Sequence, residues 1–110
     1  MANVFKNAVS ASVGTSAVDV YTAGSGVTAT VIGATVANRH SSSITVDATI
    51  TDSSASVTPF LVKAAPIGIG SSLVLIGGDQ KVVLETGDKI TITSNTASSA
   101  DVIISVLEST

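Results

Sequence analysis

The chain predicts an all-β fold: an antiparallel β-sandwich, jelly-roll- or immunoglobulin-like, of about eight short strands. Three observations predict it. β-Branched residues dominate, with 16 Val, 10 Ile and 14 Thr against 14 residues of the unbranched helix formers Leu, Met, Glu, Gln, Lys and Arg. Such side chains lose rotamer freedom on a helix and pack well on a pleated sheet. Apolar and polar residues alternate with period two in several runs, whereas no run shows a convincing 3.6-residue period. Turn-forming clusters then separate these runs at intervals of roughly 8–12 residues, the spacing of a sandwich or barrel. At 110 residues the chain is one domain's worth, given typical domains of ~100–150 residues. It divides into an N-terminal arm or first edge strand over residues 1–13 and a single sandwich domain over residues 14–110.

The elements follow in order. A first extended piece covers residues 4–13. Residues 17–22 form a strand with Val18 and Val20 inward. Residues 27–37 form a longer one, and Gly33 within it marks a bulge or bend. The segment Ile44 to Thr51 alternates without a fault, placing Ile44, Val46, Ala48 and Ile50 on one face and Thr45, Asp47, Thr49 and Thr51 on the other. Residues 57–63 contain Pro59, which cannot donate to a central ladder, so this strand starts at Pro59 or lies on an edge. Residues 73–76 are apolar on both faces. Residues 81–85 set Val82 and Leu84 against Lys81, Val83 and Glu85. Residues 89–93 point Ile90 and Ile92 inward, and residues 101–107 do the same with Val102, Ile104 and Val106, leaving Ile103 and Leu107 opposite. The intervening Gly24-Ser25-Gly26, Gly68-Ile69-Gly70-Ser71, Gly77-Gly78-Asp79 and Gly87-Asp88 supply turns.

Composition narrows function. Five basic residues against eight acidic ones, a net charge of -3, provide no surplus cations for phosphate, so neither nucleic acid nor an anionic membrane is an expected partner. The N-terminal residues have no basic stretch followed by an apolar core, and no signal peptide is expected. There is no cysteine, so neither a disulfide scaffold nor a thiolate metal site is expected. The single histidine, His40, lies among Ser41, Ser42 and Ser43 in a turn. Chain neighbours in a turn do not constitute a nucleophile positioned by a base, and His40 reads as a solvated turn residue. Asp47 and Asp52, and Asp79, Glu85 and Asp88, lack the alternate spacing of calcium loops; Asp79 and Asp88 read instead as turn caps. Gly68-Ile69-Gly70-Ser71 lacks the lysine and helix of a phosphate loop. No catalytic, metal-binding or cofactor-binding residue is predicted.

A surplus of aliphatic side chains is harder to place. The runs at 73–76 and 102–104 carry large aliphatics on both strand faces, yet a sandwich covers only one face of each sheet. Part of Val74, Ile76, Ile103 and Leu107 is therefore expected at the surface, with Val4 and Phe5 of the N-terminal piece, as a candidate subunit interface. Charged residues make up only 12%, and a monomer would have to stay soluble on that small share.

Several stretches carry a resemblance. They are Val20-Tyr21-Thr22-Ala23-Gly24, Ala34-Thr35-Val36-Ala37-Asn38 and the alternating strand from Ile44 to Thr51. Downstream follow Phe60-Leu61-Val62-Lys63-Ala64-Ala65-Pro66-Ile67, Ser72-Leu73-Val74-Leu75-Ile76-Gly77-Gly78, Val83-Leu84-Glu85-Thr86-Gly87-Asp88-Lys89-Ile90 and Asp101-Val102-Ile103-Ile104-Ser105-Val106-Leu107-Glu108. Together, over roughly residues 18–108, they resemble the short β-sandwich virion proteins of tailed bacteriophages of the marine and cyanobacterial type. The resemblance implies a non-enzymatic structural role in many copies. That role would be a capsid decoration or cement protein, a homotrimer contacting itself and the major capsid protein, or else a neck, tail or fibre component. The N-terminal arm from Ala2 to about Val13, outside that stretch, reads as a strap that could add to the sheet edge of a neighbouring subunit. A carbohydrate-binding module is the reading from another class, but sugar sites favour aromatic platforms and only Phe5, Tyr21 and Phe60 are available.

Overall fold

The computed structural model describes residues 2–110. Nine strands run in chain order as β1 (Asn3–Val13), β2 (Val18–Thr22), β3 (Thr28–Asn38), β4 (Ile44–Thr51), β5 (Phe60–Ile67), β6 (Ser72–Ile76), β7 (Val82–Leu84), β8 (Lys89–Ser94) and β9 (Ala100–Ser109), and there is no helix among the described residues. They form two antiparallel sheets. The first has the order β1-β9-β3-β6, with β7 also pairing β3; the second has the order β2-β8-β4-β5.

This order decides between the two sandwich types. Strand β3 is 11 residues long, and its first half pairs with β7 while its second half pairs with β6. The two short strands thus fill one position. Nearly every connection then crosses from one sheet to the other; only β4–β5 and β6–β7 stay within a sheet. An immunoglobulin-type sandwich instead joins several neighbours by hairpins within a sheet. The crossing pattern is that of a jelly roll.

The core lies between the sheets, where period two predicted it. Val31, Val36, Leu84, Val102, Ile104 and Val106 of the first sheet face Ile44, Val46, Ala48, Ile90 and Ile92 of the second, each at most 1% exposed. The expected bulge at Gly33 is present as a register shift against β9 between Val31 and Gly33. The strand predicted over 57–63 runs instead from Phe60 to Ile67, through Pro66. It is an edge strand, where a residue without an N–H breaks no ladder on the open side.

Two expectations about the N-terminus and β6 take a definite form here. Residues 3–13 do not extend away as a strap; β1 pairs in register with β9 of its own sheet from Asn3↔Ser109 to Ser10↔Val102. Of the two possibilities for residues 1–13, the described part is an edge strand of the sandwich. In β6, Ile76 is not at the surface as expected but 1% exposed. The β3–β6 register passes from Ala34↔Ile76 to Thr35↔Val74, skipping Leu75. An extra residue reverses which face the following side chains occupy. Ile76 therefore turns into the core while Val74 stays outside.

Candidate interaction face

The outer faces of the two sheets differ in chemistry. On the second sheet, the outward positions of β4 and β8 are Thr45, Asp47, Thr49, Thr51, Lys89, Thr91 and Thr93, alternating with buried or half-buried apolar residues. Asp19 of β2 joins them, 3.2 Å from Lys89 Nζ and accepting a 2.8 Å hydrogen bond from the Thr91 hydroxyl. Threonine hydroxyls and a few charges make this surface compatible with water.

The first sheet is built otherwise. Its registers align Phe5, Leu107, Thr30 and Val83 in one row across β1, β9, β3 and β7. A second row aligns Val9, Ile103, Thr35 and Val74 across β1, β9, β3 and β6. Between them lie Asn7, Ser105 and Gly33. Neither row contains a charge. Phe5 is 74% exposed, Val9 64%, Val74 62%, Val83 59% and Ile103 57%, whereas Phe60 is the only large apolar side chain so exposed on a strand of the second sheet. The two rows are four residues apart along β1 and β9, or about 14 Å at the usual rise, and five apart along β3, where the bulge adds a residue. They make a largely apolar panel, and no pocket is found among the described residues.

The predicted interface residues fall unevenly on this panel. Val74, Ile103 and Phe5 lie in its rows and are exposed; Leu107 lies beside Phe5 and is half-buried. Val4 pairs with Glu108 on the sandwich side of β1, exposed only because β1 is the sheet margin. Ile76 belongs to the core. Val9 and Val83 were missed as interface positions: alternation sets Val83 opposite Val82 and Leu84, but which sheet that face belongs to, and which strands flank Val9, depend on distant pairing.

No known protein family, curated protein or solved structure matches this chain. The panel must therefore be understood from its own geometry.

Polar groups elsewhere are engaged in holding the fold. Tyr21 of β2 donates a 2.5 Å hydrogen bond from its hydroxyl to Glu108 Oε2 of β9, joining the two sheets. Lys6 Nζ stands 3.1 Å from the other Glu108 oxygen. The Tyr21 phenol is pushed up from its ordinary pKa, first by burial and then by Glu108. Glu108 is held below the ordinary carboxylate value, first by the Tyr21 hydrogen bond and then by Lys6. At the opposite end, buried Asn38 donates from Nδ2 to the carbonyls of Ser42, Ile67 and Gly68, and its Oδ1 accepts from the His40 N–H. His40 is half-buried in that turn, its Nδ1 accepting from the Ser42 N–H at 3.2 Å.

The structure also brings Asp52, distant in sequence, to Glu85 and Asp88, so that one carboxylate oxygen of each lies within 4.8 Å of the others. Two of the three are engaged in the fold: Asp88 accepts on its two oxygens from the backbone N–H groups of Ser53 and Glu85, and Asp52 Oδ1 accepts from Ala55 N–H and the Ser54 hydroxyl. The turn-cap reading of Asp88 holds.

Proposed function

We propose that this chain is a non-enzymatic structural component of a tailed-bacteriophage virion, a decoration or cement protein of the capsid surface. It would stabilise the head by docking the outer face of the β1-β9-β3-β6 sheet on the major capsid protein. The observation that carries this reading is the contrast between the two sheet faces. A largely apolar panel without a charge in its rows, backed by a threonine-rich face, is arranged for one covered side and one wet side. Contiguous exposed apolar patches mark interaction surfaces, and a panel lacking a cavity suits another protein better than a small molecule. The jelly roll recurs in viral capsid domains but also in lectins and cupins, so the fold alone argues little. The sequence resemblance to phage virion proteins supplies the particle.

The test is to mix the purified protein with mature and with expanded empty shells and sediment them. Stoichiometric co-sedimentation is expected. The double variant Val74→Glu, Ile103→Glu should lose it by more than about tenfold, because each carboxylate would have to be buried unpaired in the contact. Binding to neither shell form overturns the capsid role and moves the assignment to the neck, tail or fibre, where purified tails are the corresponding bait.

A further inference from the structure

We infer that β1 is a self-complementary edge on which a second copy of this chain adds its own β1, antiparallel, about a twofold axis through Asn7. The inference concerns self-association and goes beyond the virion role.

An open sheet edge is a row of unpaired N–H and C=O groups, which monomers ordinarily interrupt. Three of the four edges are interrupted here. The edge at β5 carries Pro66, two register shifts against β4 and a positive φ at Ala64. The edge at β2 is five residues long with a shift between Asp19 and Tyr21. The third is split into β6 and β7, with Gly77 and Gly78 between them. Strand β1 alone runs unbroken, from Asn3 to Ser10, before its shift.

Its backbone direction can be assigned. Thr110 N–H donates to Ala2 O at 3.1 Å, so residues 2 and 110 form a hydrogen-bonded pair. Such pairs alternate along an antiparallel ladder. Even-numbered residues of β1 therefore bond to β9, and Asn3, Phe5, Asn7 and Val9 aim their N–H and C=O groups at the open edge. The side chains of Phe5, Asn7 and Val9 are also those on the outer panel.

With the axis at Asn7, Phe5 meets Val9 of the second copy, Lys6 meets Ala8, and Val4 meets Ser10. About six backbone hydrogen bonds form, two for each crossing of Phe5 with Val9 and two at Asn7. An aromatic residue opposite a β-branched one is a favourable cross-strand pair. The only charge on β1, Lys6, avoids its own copy and keeps its Glu108 partner at 3.1 Å. An axis at Lys6 would set two ammonium groups opposite each other, and one at Ala8 would push Phe5 against the irregular stretch beyond Ser10. Self-pairing in this register joins both aliphatic panels into one across an eight-strand-wide sheet. The twofold makes a dimer the unit of assembly, a different symmetry from the trimer that the resemblance implies.

Native mass spectrometry and light scattering on the full chain test this. The wild type is expected to be a dimer, with slowed amide exchange at Phe5, Asn7 and Val9. Asn7→Pro removes an N–H that points away from β9, so it should give a monomer whose urea midpoint stays near that of wild type diluted until it dissociates. If that variant does not fold, Phe5→Lys with Val9→Lys provides the same reading by placing cations at the crossing. Val74→Glu with Ile103→Glu should remain dimeric even where shell binding is lost, which separates this inference from the virion role. A monomeric or trimeric wild type, or a dimer that survives Asn7→Pro, overturns it.

Discussion

Tyr21 and Glu108 show what a single hydrogen bond decides in this molecule. The phenol is buried against the core at one end, and its hydroxyl reaches the carboxylate of the opposite sheet. Folding favours the neutral phenol, so its contribution is complete below the ordinary tyrosine value of about 10 and is lost as pH rises from there towards the raised folded value. Folding favours the charged Glu108, so that contribution is complete above the ordinary value of 4.5 and is lost as pH falls through the lowered one. Stability should therefore be level between these limits and decline on both sides. Tyr21→Phe should flatten the alkaline decline and weaken the acid one, since the phenol is the main support of the Glu108 charge. Urea midpoints measured across pH for both proteins check this.

At the scale of elements, bulges and turns do what the period-two pattern cannot. The irregularity at Leu75 sends Ile76 inward, and the one between Val31 and Gly33 keeps the two halves of β3 aligned with β7 and β6. The turn before β8 is closed by Asp88 N–H on Glu85 O and anchored by the Asp88 carboxylate on Ser53. Gly87 holds it at φ +87, and an added Cβ would lie 2.7 Å from Ser53 Oγ. Gly87→Ala is expected to cost about 1–3 kcal/mol, from left-handed backbone strain plus the displaced serine. Thermal or urea unfolding would show it, and a midpoint equal to wild type would mean the turn relaxes freely.

Across the whole molecule, neighbouring residues can have opposite duties. Ile104 is fully buried between the sheets, while Ile103 is 57% exposed on the panel. Ile104→Ala should lose about 2–5 kcal/mol of stability through the cavity it leaves. Ile103→Ala should stay within roughly 0.5 kcal/mol as a surface change while weakening whatever association uses the panel. Equal destabilisation by the two would mean that the panel is covered within the subunit. Pairing β1 with β9 brings the chain ends together. Its contacts are therefore largely non-local, and refolding is expected on the millisecond-to-second scale of β-sandwiches.

Strand β4 shows how far the amino-acid order alone reaches. Its eight residues alternate without interruption, so inward Ile44, Val46 and Ala48 could be read directly, as could Val102, Ile104 and Val106, because side-chain direction in a regular strand is a local property of the backbone. The sandwich class, the core and the existence of unplaced aliphatics were thus determined locally. Which sheet carries the panel, that Ile76 is core, that residues 3–13 form an edge and that Asp52 lies beside Asp88 were decided only by the tertiary structure. Each depends on which distant strand lies alongside and in what register, and a pairing energy between segments a hundred residues apart leaves no mark on either segment's own pattern.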